Sequence, residues 1–248
     1  MSSATSSSSG NSTSDAASNA RQLLRCARKG ALATIDQETG HPYASLVTVA
    51  TEPDGTPVFL LSQLALHTRN VVADARASVL IDGSDAAGNP LAGGRVTLIG
   101  RVGPTVSETA ARRFLVRHPS AQGYAGFADF SYFALQVERA HFIGGFGRIS
   151  TLAASDVLID VSGAESLITA EPELLDVLNR EAASQLGRLG QSRSAGQHGK
   201  WRAIAVDPAG VDIALGDETI RRVDFRSTVN SPDEVLQAIA ELDQVVSH

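Results

Sequence analysis

The chain has 248 residues, 43% of them hydrophobic, a formal net charge of −6 and a single cysteine. That length suits one large domain or two modest ones around a real core, and the negative balance excludes a general electrostatic grip on nucleic acid or an acidic membrane surface, which needs clustered positive charge. The lone Cys26 excludes an intramolecular disulfide and a cysteine-built zinc cluster, and no segment reaches the roughly 18 uninterrupted apolar residues of a membrane-spanning helix, so the reading is a soluble, cytoplasmic protein.

Residues 1–19 are Ser, Thr, Asn, Asp and Ala with almost no bulky apolar side chain, and they lack the charged and apolar regions of a secretion signal; they are expected to form a disordered tail. From Asn19 to Lys29, Ala20, Leu23, Leu24 and Ala27 share one helical face, with Gly30 as the expected stop. Apolar runs at Ala31–Ile35, Ala44–Ala50 and Val58–Leu61, separated by Glu38-Thr39-Gly40 and Pro53-Asp54-Gly55, predict antiparallel strands joined by tight turns. Helical spacing over His67–Ala75 is followed by a buried strand at Ser78–Ile81 and a Gly- and Pro-bearing loop at Asp82–Gly94. A long strand over Arg95–Val106, a helix over Glu108–Arg117 ended by Pro119, and a strand over Phe133–Ile143 complete the first half. Short strands with helical decorations suit a small barrel, because closing the sheet removes exposed edges.

After Gly147 the pattern changes. Helices are expected at Ala164–Ala170 and Glu171–Leu186, then a polar loop over Gly187–Gly199, strands at Trp201–Val206, Val211–Leu215 and Thr219–Phe225, and a helix over Pro232–Val246. The expected organisation is a barrel domain over 20–150 and a separate α+β domain over 155–248, an α+β fold class overall.

The segment Leu60–Asn70 carries the most chemistry. A buried strand ends at Ser62 and a helix begins among His67, Thr68, Arg69 and Asn70, an arrangement in which free N–H groups and the helix dipole favour an anion. The plainer alternative is that Thr68 and Asn70 cap the helix or face solvent. His118 reads as a helix-end residue. His141 reads as a hydrogen-bonded strand residue or a pocket group, and His198 has no partner at metal spacing. Gly144-Gly145-Phe146-Gly147 does not follow a first strand into a helix, so the dinucleotide fingerprint fails, and no metal site or Ser/His/Asp triad is nominated.

The runs His41–Val49, Gly55–Ser62, Leu64–Asn70, Leu91–Gly100 and Phe142–Arg148 resemble, in order, the signature stretches of the pyridoxamine 5'-phosphate oxidase-like superfamily, in its haem-utilisation branch. The resemblance implies an FMN-binding split β-barrel and a homodimer with a flavin or haem pocket at the subunit interface. By motif it places Ser45, Leu46, Val47 and Thr48 along the isoalloxazine, Leu61 and Ser62 on the next strand, His67, Thr68 and Asn70 at the phosphate, Arg95 and Thr97 facing the pocket, and Arg148 reaching the partner's pocket. Where the oxidase proper carries several cations for the phosphate, this chain offers one His with Arg69 or Arg95. The second half resembles the domain of unknown function that often follows this barrel, through Val206–Asp212 and Arg222–Phe225. Its usual paired-histidine helix motif reads Val177-Leu178-Asn179-Arg180-Glu181-Ala182 here, with both histidines gone.

Three functions follow as expectations: an FMN-dependent oxidoreductase in which the cofactor carries the chemistry, a haem-binding or haem-degrading protein using the same interface pocket with His67 or His141 as axial ligand, or a non-catalytic binding or regulatory protein.

Overall fold

The computed structural model describes residues 8–83, 92–145, 148–194 and 198–246, without the side chains of 8–12. They fall into two compact units, 1–114 with 120–159, and 115–119 with 160–248. The expected boundary at 150–155 therefore moves a few residues later, because two further elements belong to the barrel.

In the first unit, helix α1 (Ser8–Cys26) precedes β1 (Lys29–Ile35), β2 (Pro42–Thr48), β3 (Ala50–Thr51) and β4 (Pro57–Ser62). Helix α2 (Leu66–Ala73), β5 (Arg76–Asp82), β6 (Gly94–Pro104), α3 (Glu108–Arg117), β7 (Phe130–Gly144), β8 (Ile149–Ala153) and α4 (Ala154–Val157) follow. The strands form one eight-stranded sheet in the order β2-β1-β5-β6-β7-β4-β3, with β8 added to β7, and every pairing is antiparallel. This is the split barrel. Its inner face carries Leu32, Val79, Leu98, Ala140 and Leu152, which stand opposite one another in register and are all buried. Between Ile99 and Gly100 the β6–β7 register shifts; a Cβ at Gly100 would run into the Gln136 carbonyl oxygen, so only glycine fits the bulge.

Helix α1 corrects the expected tail and the expected stop at Gly30. It begins at Ser8, and Ala16, Ala17, Ala20 and Leu24 bury one face in the barrel core, so small alanines supply the apolar stripe that bulky residues were expected to supply. Residues 1–7 lie outside the described set. Gly30 sits inside β1. Arg25, near the end of α1, is buried and donates to the carbonyls of Glu52 at 2.9 Å and Pro53 at 2.6 Å, stapling the helix to the turn before β4. Most of the expected loop over Asp82–Gly94 lies outside the described residues.

The second unit contains α5 (Glu165–Thr169), α6 (Glu171–Glu181), α7 (Ala183–Ser192), β9 (Trp201–Asp207), β10 (Gly210–Leu215), β11 (Thr219–Asp224) and α8 (Pro232–Val246). Its antiparallel sheet has the order β11-β10-β9, and α6 and α7 lie against β9. The expected helix over Glu171–Leu186 is two helices, and α7 runs through the start of the expected loop. Leu186 and Leu189 are buried, and Gly190 lies against the Trp201 ring so closely that a Cβ there would overlap it. Gly190, which read as part of a loop, is thus a close helix-to-strand contact. No helix among the described residues is long and apolar enough to cross a membrane.

Candidate functional site

The expected cofactor residues fall in three places. The first is around α2. Asn70 is fully buried, donates to Thr34 Oγ1 at 3.0 Å and accepts from the Gln37 N–H at 3.3 Å, fixing α2 to the end of β1. Thr68 is also buried, and its hydroxyl has no partner among the described residues. Ser45 Oγ lies 3.1 Å from His67 Nδ1. Loss of hydration lowers the His67 pKa, so near neutral pH the imidazole is uncharged. Leu61 is buried in the core. Ser62 donates its hydroxyl to Asp129 Oδ2 at 2.7 Å and accepts from the Leu64 N–H at 3.2 Å. A phosphate here would meet a carboxylate, a neutral imidazole and two inward-turned polar side chains, with the exposed Arg69 as the one full cation of Leu60–Asn70. That donor set does not fit the phosphate of FMN.

The second place is the outward face of the sheet. Alternation along β2 turns Ser45 and Val47 inward and Leu46 and Thr48 outward. Cross-strand register then aligns Leu46, Ala31, Leu80, Thr97, His141 and Thr151 in one row over β2, β1, β5, β6, β7 and β8. A second row holds Ala44, Ala33, Ser78, Ile99, Arg139 and Ala153, and Arg95 pairs with Ile143, which pairs with Ile149. Leu46 is 72% exposed and Ile149 63%. The middle of this face is aliphatic or small, with Arg95 and Arg139 at its flank, the distribution of a polar-rimmed interface. The His141 imidazole is part-exposed and makes no hydrogen bond among the described residues.

The third place is the opposite end of β7 from Ser62. Arg148 donates from Nε to the Gly144 carbonyl at 3.1 Å and lines a cavity beneath α1. Sequence reasoning missed Asp129, which has no motif of its own and meets Ser62 only through the β4–β7 pairing. It also missed Leu80, whose place in the His141 row is set by register between strands distant in sequence, and Arg139, which shares the outward face of β7 with His141 two residues away. No group of three or more His, Cys, Asp or Glu that could hold a bare metal ion occurs among the described residues.

Residues 11–157 match the family model described as "CREG, beta-barrel". The solved structure of Atu2129, a protein of unknown function from Agrobacterium tumefaciens, is 32% identical, with a TM-score of 0.80 over 92% of this chain and 94% of that one. A heme binding protein from Mycobacterium smegmatis is 29% identical, with a TM-score of 0.55 over 94% of this chain and 97% of that one. The chloroplastic non-canonical heme oxygenase HOZ of Arabidopsis thaliana is 33% identical over 131 residues, 50% of this chain; the match spans only 39% of that protein's length.

Proposed function

Because the chain belongs to the CREG β-barrel family, we propose that it binds haem on the outward face of the split barrel, where two copies of the chain meet. The observation that carries this reading is the His141 imidazole, without a hydrogen-bond partner among the described residues, set in a row of aliphatic and small side chains. A haem needs one or two axial donors, an apolar bed for the macrocycle and cations for its carboxylates, and it does not need the phosphate cradle that the α2 region lacks. His141 would hold the iron through its imidazole. Leu80 and Ile99 would form the bed, and Arg95 and Arg139 would hold the carboxylates. When bound, haem supplies the iron and its redox chemistry. The names of the M. smegmatis and A. thaliana relatives support haem as the ligand class.

A second copy is the partner that best suits this face. An aliphatic strip flanked by arginines, with Leu46 standing in solvent, is costly to leave open, and closed twofold symmetry is the commonest way to cover such a strip.

The test is titration of the ligand-free protein with hemin and, separately, with FMN. A saturable Soret band is expected, which His141→Ala weakens and shifts, while FMN leaves a free-flavin spectrum. Leu46→Glu should convert a sedimenting dimer to monomer and lower haem affinity at least tenfold. Tight FMN binding without a Soret change, or a Soret band indifferent to His141→Ala, would overturn the reading.

A further inference from the structure

The second unit is not built from one stretch of chain. It takes residues 115–119 from the middle of the sequence, residues 120–159 then return to the first unit, and 160–248 complete the second. Its three-stranded sheet shows why the early segment is needed. Ala203, Ile213 and Val223 belong to the core cluster shared with α6 and α7. Alternation along the strands turns the residues between them to the other face, which in an antiparallel sheet with helices on one side is ordinarily polar and solvated. Here that face carries a separate buried apolar cluster, Ile204, Ala214 and Ile220. It also carries Asp212 and Arg222, which stand opposite each other in register and are buried as well.

Among the described residues of the unit, the 115–119 segment covers this face. Val116 packs against the Ile204 cluster, and Arg117 donates to Asp212 Oδ2 at 2.6 Å. Arg117 also balances the charge. Asp207 and Asp212 are fully buried carboxylates, and Arg222 reaches both. With Arg117 the buried set holds two carboxylates and two guanidiniums, whereas without it one carboxylate charge is left over in the interior, where an unbalanced charge is strongly destabilising.

Arg117 is the last residue of α3, and the earlier turns of the same helix belong to the first unit. There Ser107 Oγ accepts the Ala110 N–H at 3.1 Å, Ala110 and Phe114 are fully buried, and the Phe114 ring meets Tyr132 of β7 edge-on at 5.7 Å. A ten-residue helix is marginal by itself and forms cooperatively, so the contacts of its early turns hold its last turn helical. We propose that residues 115–119 are a strap through which the first unit controls the opening of the second: residues 160–248 close only onto a strap that α3 presents in helical form. Whatever loosens α3 therefore loosens the second unit without touching it. The device works through the continuity of one helix and is independent of the haem reading, since it uses neither His141 nor Leu46.

The experiment is amide hydrogen exchange of the full chain, read by mass spectrometry on peptides from β9–β11 and from β5–β6. Arg117→Met strands a buried carboxylate and should speed exchange in β9–β11 by at least about a hundredfold, with β5–β6 within roughly threefold. Ser107→Ala removes a helix cap that lies in the first unit, and it should still speed β9–β11 exchange by roughly fivefold. A second unit that folds by itself would ignore that change. If Arg117→Met leaves the second unit wholly open, the milder Ser107→Ala still decides. Unchanged β9–β11 exchange in either variant, or acceleration in Arg117→Met that is equal in β5–β6, would overturn the proposal.

Discussion

Replacing Arg222 by Met tests what holds the second unit together. The Arg222 side chain is 3% exposed and reaches Asp207 at 2.6 Å, Asp212 at 3.1 Å and Asp224 at 3.0 Å. Asp212 is also held by Arg117 at 2.6 Å, and Asp207 and Asp212 are fully buried. Burial opposes the Arg222 charge, but the carboxylates of Asp207 and Asp212 outweigh it and hold the guanidinium charged. The pair with Asp224, which is 46% exposed, is screened by solvent and adds little. Methionine keeps most of the volume but strips the cation from a buried carboxylate, a class of change that costs about 3 to 5 kcal/mol. For a unit of this size each kcal/mol moves the melting temperature by roughly 4 to 8 °C, so a fall of at least about 12 °C is expected. The assay is built into the chain. Its single tryptophan, Trp201, lies in this unit's core, so intrinsic fluorescence follows this unit's unfolding. A shift of under about 3 °C would refute the claim that the cluster is an obligate set of paired charges. Adding Asp207→Asn to Arg222→Met should recover part of the loss, because the stranded charge is then gone.

Deleting residues 1–18 should lower the melting temperature of the first unit by roughly 3 to 6 °C, since the buried Ala16 and Ala17 methyls contribute about 0.8 kcal/mol each and a unit of this size moves about 2 to 4 °C per kcal/mol. Circular dichroism reports it, and an unchanged transition would return this segment to the status of a tail. His67 makes a pH-dependent contribution. Its pKa is lowered below 6.5 in the folded state by burial, so the unfolded chain takes up the proton first and the contribution is complete above pH 6.5 and lost as pH falls through the lower folded value. Thermal melts between pH 8 and pH 5 should show His67→Gln losing less stability than the unmodified chain over the acid half of that range; parallel curves would contradict the assignment.

Legibility from sequence tracked the range of the interaction responsible. The β-runs, the turns at Gly40 and Gly55 and the terminal helix α8 were legible because alternation, turn residues and helical spacing are local signals. Helix α1 was not, because its stripe is built from alanines whose burial comes from a barrel formed much later in the chain. The candidate site divides in the same way. Leu60–Asn70 was correctly read as a strand leading to a helix, but where its polar side chains point was settled by distant partners: Asp129 for Ser62, Thr34 and Gln37 for Asn70, Ser45 for His67. A polar helix start is compatible with an anion site and with internal satisfaction alike, and only the inventory of partners separates them. His141 makes the converse case. Its residue type raised a pocket role, and its register opposite Thr97 then placed it in one row with Leu80 and Leu46, residues from strands that no local pattern joins. A side chain's surroundings on a curled sheet are a property of strand order. In this chain strand order joins β1 to β5 and β6 to β7, so the candidate face becomes readable only once those two non-local pairings are known.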